Sequence, residues 1–203
     1  MDITIKPLTK ELISDYFDFF NNRAFTDNPP WEGCYCICWQ MTKEEEQAQL
    51  HDKVEAYGGG EENFMRALRE IVVRQITSGS LRGYLAYVEG LSIGWCNAND
   101  KAKFPVESAN GVRLYAPSEK REKVVVCFEI APEYRRKGVA TALLNRVVCD
   151  ARDESYIAVE GFPHVHNERY EWDYSGPLRL YEKCGFVKVS EKDGFAVMRK
   201  ELN

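Results

Sequence analysis

The chain has 203 residues, 44% of them hydrophobic, and a formal net charge of -5. That length and apolar content suffice for one sizeable core, so residues 1–203 are read as a single domain. The acidic total excludes a surface that gathers nucleic acid as a whole, and no run of about twenty apolar residues reads as a membrane span.

The opening MDITIKPLTK has neither the charged start nor the apolar core of a signal peptide, which predicts a soluble, cytoplasmic protein. Ile3, Ile5 and Leu8 alternate with polar neighbours, so a first strand is expected, and Pro7, lacking an amide hydrogen, places it at a sheet edge. Leu12, Ile13, Tyr16, Phe17, Phe20 and Ala24 then recur at helical spacing, ending before Asp27, Asn28, Pro29 and Pro30.

In the next stretch, WEGCYCICWQ, Cys34, Cys36 and Cys38 alternate with Tyr35, Ile37 and Trp39, which predicts extended chain with three thiols on one face. Three readings stay open: packing, the favourite; a reactive or substrate-facing thiol; and a structural metal. The last lacks the usual Cys-x-x-Cys pairs, and His51, His164 and His166 are remote, so no metal ligand is assigned. Seven cysteines are an odd number, and Cys96, Cys127, Cys149 and Cys184 fall inside apolar strand or helix patterns, which argues against a disulfide scaffold.

Thr42 before Glu44, Glu45 and Glu46 reads as a capped helix start, and Gly58, Gly59 and Gly60 as its interruption. A second helix from about Glu61 carries Phe64, Leu68, Ile71, Val72 and Ile76 on one side and stops at Ser78 and Gly79. Tyr84, Ala86 and Val88 face Ile93, Trp95 and Asn97 across Glu89 and Gly90 as a hairpin. Lys101 to Glu122 is polar and broken by Pro105, Gly111 and Pro117, a long loop of the kind that borders a site.

The run Val124, Val125, Val126, Cys127, Phe128, Ile130 has the unbroken apolar character of a strand covered on both faces. Pro132 ends it, and Arg135, Arg136, Lys137 and Gly138 form a basic turn into a helix whose apolar face holds Leu143, Leu144, Val147, Val148 and Ala151. A helix start leaves amide hydrogens unpaired at the positive end of the macrodipole, so three cations beside Gly138 mark an anion site, with a pyrophosphate as the expected ligand. Neither Gly-x-x-x-x-Gly-Lys-Ser/Thr nor Gly-x-Gly-x-x-Gly is present, which removes the nucleotide-hydrolysis and dinucleotide readings.

A short strand follows at Tyr156 to Val159, then the polar, aromatic HVHNERYEWDYSG, whose Tyr170, Trp172 and Tyr174 cover a pocket or pack on the surface. PLRLYEKCGF reads as a short helix stopped by Gly185, and two strands turn at Asp193 and Gly194 to close the chain.

Residues 123–152 resemble motif A of the GNAT N-acetyltransferase superfamily, whose Arg/Gln-x-x-Gly-x-Gly/Ala loop is matched by Arg135, Gly138 and Ala140. Residues 177–186 resemble motif B, with Tyr181, Gly185 and Phe186 on its Tyr-x-x-x-Gly-Phe pattern, and the Cys-rich WEGCYCICW lies outside both. The resemblance implies an α/β, single-domain GNAT fold with a central mixed, mostly antiparallel twisted sheet flanked by helices. It also implies direct acetyl transfer from acetyl-CoA, a cosubstrate, to a primary amine of a small molecule or peptide. By the same resemblance Ile130, Arg135, Arg136, Lys137, Gly138, Val139, Ala140 and Thr141 hold the coenzyme. Trp31, Cys34, Cys36 and Trp39, with Phe162 and His164, become the acceptor contacts. The asparagine common between the family's fifth strand and last helix has no clear counterpart here.

The resemblance makes Tyr181 the acid that protonates the departing thiolate. Glu129, a carboxylate in an apolar strand just before the basic loop, is the candidate base, because burial raises such a group toward neutrality; the competing reading is a salt bridge with a neighbouring arginine. Glu160, His164, His166 and Asp173 are reserves. A hydrolase lacks its Gly-x-Ser-x-Gly, whereas a pairing of Cys34 or Cys36 with His164 stays open. The alternative function is a noncatalytic acyl-CoA-binding sensor. Neither nucleic acid nor membrane is an expected partner, and a homodimer is the default assembly.

Overall fold

The computed structural model describes residues 1–109, 119–165 and 173–202. Its strands are β1 (Thr4–Pro7), β2 (Gly83–Val88), β3 (Leu91–Asp100), β4 (Glu122–Ile130), β5 (Ala158–Gly161), β6 (Val187–Lys192) and β7 (Phe195–Glu201). They form one sheet in the order β1-β2-β3-β4-β5-β7-β6, antiparallel throughout except between β4 and β5. The helices are α1 (Ile13–Asn22), α2 (Lys43–Glu46), α3 (Asp52–Ala56), α4 (Glu61–Ser78), α5 (Val139–Asp153) and α6 (Leu178–Lys183). The α/β class and the mixed, mostly antiparallel sheet flanked by helices are those the sequence implied. Among the described residues no helix is long and apolar enough to cross a membrane.

Local chemistry accounts for most of these boundaries. Pro7 ends β1 at the sheet edge, where its missing donor costs no ladder bond. Thr42 caps α2 in a reciprocal box: its hydroxyl accepts from the Glu45 amide at 3.2 Å, and the Glu45 carboxylate accepts from the Thr42 amide at 2.8 Å. Glu89 and Gly90 take φ of 52° and 83°, the two positive values that a tight hairpin turn requires.

The sheet separates two cores. On one face α1 and α4 bury Tyr16, Phe19, Phe20, Leu68 and Ile71 against Trp95, Val124 and Val126. On the other, α5 and α6 bury Leu143, Leu144, Val147 and Leu180 against Val125 and Phe128. Cys149, expected inside α5's apolar pattern, is exposed, because the helical period carries it off the stripe set by Val147, Val148 and Ala151.

The Cys-rich segment is not extended. Short 3-10 turns at Pro29–Trp31 and Cys38–Gln40 flank a bend at Cys36, whose φ is 56°. The physical reason lies in its carbonyls. The Tyr16 hydroxyl donates to the Tyr35 carbonyl at 2.5 Å, and Asn97 Nδ2 donates to the Cys36 carbonyl at 3.2 Å. Side chains thus satisfy backbone groups that would otherwise need a neighbouring strand. The predicted two-faced alternation is lost, since Tyr35, Cys36, Ile37 and Trp39 are all buried.

A buried ionic cluster fixes the base of the central strands. Lys101 Nζ donates to Glu122 at 3.1 Å and to Glu160 at 2.9 Å, and Arg199 meets both carboxylates at 2.7 Å. Glu160, a reserve base in the sequence reading, is committed to this cluster. Breaking such a buried pair strands an uncompensated charge, which ties β4, β5 and β7 together.

Candidate functional site

The site is built where β4 and β5 part. Their pairing runs from Glu122 opposite Ala158 to Val125 opposite Gly161, whereas β4 continues to Ile130. A bulge in β4 is the cause: Asn97 of β3 faces Cys127 and Ala98 faces Val125, leaving Val126 as the extra residue. Beyond it Cys127 joins the α1-side core and Phe128 the α5-side core. The chain before α6 lies across the opened end, with the Phe128 amide donating to the Tyr174 carbonyl at 2.6 Å. Ser175 is buried beside it, its hydroxyl without a hydrogen-bond partner among the described residues.

The basic loop stands next to this opening. A 3-10 turn, Pro132–Tyr134, leads to Arg136 at φ 63° and Gly138 at φ 87°, and Gly138 is the N-cap of α5. The Ala142 amide makes the first helical bond, to the Gly138 carbonyl at 2.9 Å, so the amides of Val139, Ala140 and Thr141 have no helical acceptor. A Cβ placed on Gly138 would meet nothing within 4 Å, which leaves room for a ligand against those amides. Arg136 and Lys137 are exposed beside them, while the Val139 side chain is buried, so this residue offers only its amide. Gly138→Val is expected to weaken binding of a pyrophosphate-bearing ligand about tenfold or more, since a branched residue pays about 1–2 kcal/mol in the left-handed region and crowds the amides. Unchanged affinity would mean that such a ligand does not bind here.

Arg135 points the other way. Its guanidinium donates to the Ile130 carbonyl at 2.9 Å, to Asp27 at 2.5 and 3.2 Å, and to Glu129 at 3.4 Å. Glu129 lies opposite Trp95 on the α1-facing side, with its side chain 17% exposed. Burial pushes its carboxyl up to about 7, an effect that Arg135 only partly offsets. The arginine partner that the salt-bridge reading required is Arg135, and the raised carboxyl is the condition that the candidate-base reading set.

Residues 81–188, more than half of the chain, match the family model described as "Acetyltransferase (GNAT) domain". The chain belongs to the GNAT acetyltransferase family. The matched span contains the bulged β4, the basic loop, α5 and α6. Among solved structures, the GNAT domain of S. lividans PAT aligns with a TM-score of 0.52 at 16% identity, covering 98% of this chain and 89% of that one. An acetyltransferase of the GNAT family from Streptococcus pneumoniae aligns at 0.52 and 15% identity over 100% of both chains. At these identities the likeness is one of fold. A curated protein, staphylococcal superantigen-like 10 of Staphylococcus aureus (strain Newman), is 28% identical over 103 residues, 47% of this chain and 44% of that protein. The chain spans less than half the length of the curated relatives it matches.

The remaining predicted residues of this GNAT chain fall into two groups. Tyr174 packs edge-on to Trp39 at 5.7 Å and to His164 at 5.9 Å, and His164 lies 4.0 Å from Phe195, all as ring centroids. Trp39 and His164, far apart in sequence, are thereby joined through one tyrosine, and half-buried Trp31 and Cys34 pack on the same α1-side core. Phe162 is fully buried in that core. Tyr181 is buried as well, and its hydroxyl donates to the Ser175 carbonyl at 2.8 Å. Burial pushes Cys34 up to about 12. Asp173 is half-buried, while His166, Tyr170 and Trp172 lie outside the described residues, as does 110–118 of the long loop.

Among the described residues the donor atoms that lie close enough together to hold an ion are those of Cys149, Asp150 and Asp153 on α5, not those of Cys34, Cys36 and Cys38. Asp27, Asn97 and Ser175 were missed as site residues. Only Asn97 carried a signal, an amide side chain directly after the apolar run at residues 93–96.

Proposed function

We propose that this GNAT protein is an N-acetyltransferase that moves acetyl from acetyl-CoA directly to a primary amine of a small molecule or peptide, acting as one domain over residues 1–203. Its place is the cytoplasm, where its free thiols stay reduced. The observation that carries the reading is the opened end of β4, flanked by the N-terminus of α5 on one side and by a carboxyl of pKa about 7 on the other. The uncapped amides, the open space at Gly138 and the unpartnered Ser175 hydroxyl fit a coenzyme with a diphosphate and a polar arm.

In this reading the amides of Val139, Ala140 and Thr141, with Arg136 and Lys137, bind the pyrophosphate, while the backbone near Ile130 borders the arm. Arg135 holds Glu129 and Asp27 in place. A primary amine of pKa about 10 is almost wholly protonated at pH 7, so Glu129 removes that proton before attack. As the new C–N bond forms and the C–S bond breaks, the Tyr181 hydroxyl gives its proton to the leaving sulfur, and the second proton shed by the attacking nitrogen restores the phenol. Burial pushes this phenol well up, which keeps it protonated but makes it a weaker acid, so its proton leaves the Ser175 carbonyl only as the thiolate forms. Trp31, Cys34, Cys36, Trp39, Phe162 and His164 form the acceptor side.

The test is coenzyme release measured against amino acids, polyamines, aminoglycosides and peptide N-termini. Thiol release matched by acetylated amine in at least one class is the expected result. Tight acetyl-CoA binding with no thiol released from any class would overturn the enzyme and leave the sensor.

A further inference from the structure

The parted edge of β4 offers its own amides to a ligand, and the fold already fills one of them. The Ala131 amide donates to the Ile93 carbonyl at 3.0 Å, and amides alternate between the two edges of a strand, so those of Phe128 and Ile130 face the parted side. There the Phe128 amide donates to the Tyr174 carbonyl at 2.6 Å. Tyr174 belongs to a turn over residues 173–176, closed by the Gly176 amide donating to the Asp173 carbonyl at 2.9 Å. A carbonyl of the coenzyme's arm, laid along this edge, needs the same donor that the turn's carbonyl takes.

Three anchors hold the turn around that contact. The Tyr174 ring packs on Trp39 and His164, the Ser175 carbonyl accepts from the Tyr181 hydroxyl at 2.8 Å, and Gly176 lies so close to Phe128 that a Cβ on it would stand 3.3 Å from that ring. Between them, the peptide unit joining Tyr174 to Ser175 is the central one of the turn, the unit that rotates when a type I turn becomes type II with its closing bond kept. Among the described non-glycine residues, positive φ belongs to Cys36, Glu89, Arg136, Ser155 and Asp193, so Tyr174 and Ser175 both have negative φ, as a type I turn requires. The Ser175 side chain adds a cost to this state, being 1% exposed with a hydroxyl that has no hydrogen-bond partner among the described residues.

We propose that the peptide unit joining Tyr174 to Ser175 is a switch in the coenzyme site, its carbonyl holding the Phe128 amide until the arm displaces it. Rotation to type II takes the carbonyl away and turns the Ser175 N–H to that side, so two amides then face one carbonyl oxygen of the ligand. The Tyr174 ring, the Asp173 carbonyl and the Ser175 carbonyl keep their partners, because only the central unit rotates. The rotation carries Ser175 to positive φ, which disfavours a residue with a Cβ, and coenzyme affinity falls in proportion to the small fraction of protein that is rotated. Ser175 is thereby a positioning residue for the arm. The inference rests on the proposed transferase function, since only a ligand with an arm along β4 works the switch.

The experiment measures by calorimetry the Kd of Ser175→Gly and Ser175→Ala in the full chain, for acetyl-CoA and for ADP, which carries a diphosphate without the arm. Both variants lack the hydroxyl, and only glycine takes positive φ without strain. The glycine variant is expected to bind acetyl-CoA about tenfold tighter than the alanine variant, and ADP equally well. Equal acetyl-CoA affinities, or the same gain with ADP, overturn the switch. Wild-type crystals grown with and without acetyl-CoA decide the matter even where a variant does not fold. Ser175 is expected at positive φ, with the Tyr174 carbonyl off the Phe128 amide, in the bound form alone, and an unchanged turn beside a bound arm overturns the proposal. If neither wild type nor either variant binds acetyl-CoA, the transferase reading fails and the switch with it, whereas binding without the glycine gain removes the switch and leaves the transferase.

Discussion

Glu129→Gln is expected to lower kcat/KM about 10²- to 10⁴-fold and to erase the acid limb that wild type shows near pH 7. The size is that of a positioned general base, and the pH follows from burial, which pushes this carboxyl up to about 7 against a partial pull from Arg135. A stability measurement supplies an independent sign. The unfolded carboxyl titrates near 4.5 and the folded one near 7, so the folded state holds a proton that the unfolded state has released between those values. The stability this group contributes is complete below about 4.5 and is lost as pH rises through 7. At pH 8 the glutamine variant is therefore expected to be more stable than wild type, by at most ~3 kcal/mol, and to gain nothing at pH 4. If the Arg135 ion pair were the whole role of Glu129, the variant would instead lose stability at pH 8 and keep the acid limb.

Gly161→Ala is expected to cost ~2–4 kcal/mol and to lower Tm by ~5–15 °C. A Cβ at this last residue of β5 would stand 2.1 Å from the Tyr181 ring and 2.6 Å from its hydroxyl oxygen. Tyr181 has no room to retreat, being fully buried against Phe128 and Phe186 with its hydroxyl held by the Ser175 carbonyl. Displacing it moves the proposed acid from the opened end of β4, so turnover falls with stability. Adding Tyr181→Leu to Gly161→Ala is expected to recover most of the stability and none of the turnover. A single variant that melts within a degree of wild type, with full activity, would mean that Tyr181 is neither wedged nor needed.

The elements with regular apolar spacing were legible in the sequence. α4 runs from Glu61 to Ser78 with the predicted apolar residues inward, the hairpin turns at Glu89 and Gly90, and Gly138 is the N-cap of α5. Alternation failed as a guide in WEGCYCICWQ, because a period of two describes a chain only if its carbonyls bond to a neighbouring strand. There, Tyr16 and Asn97 supply the donors instead. The same limit hid the bulge in β4, since an unbroken valine run looks identical with or without an extra residue.

The sequence by itself determined the order of strands and helices, the glycine at the start of α5 and the cations around it, because each depends on propensity, periodicity or a backbone angle that neighbours in the chain impose. Only the tertiary structure decided that Arg135 turns to Asp27 and Glu129, that Tyr174 joins Trp39 to His164, and that Asn97 reaches Cys36. Those contacts span up to 135 positions of chain, and a side chain's charge, burial and donors at such range are set by what the fold places opposite it rather than by what precedes it.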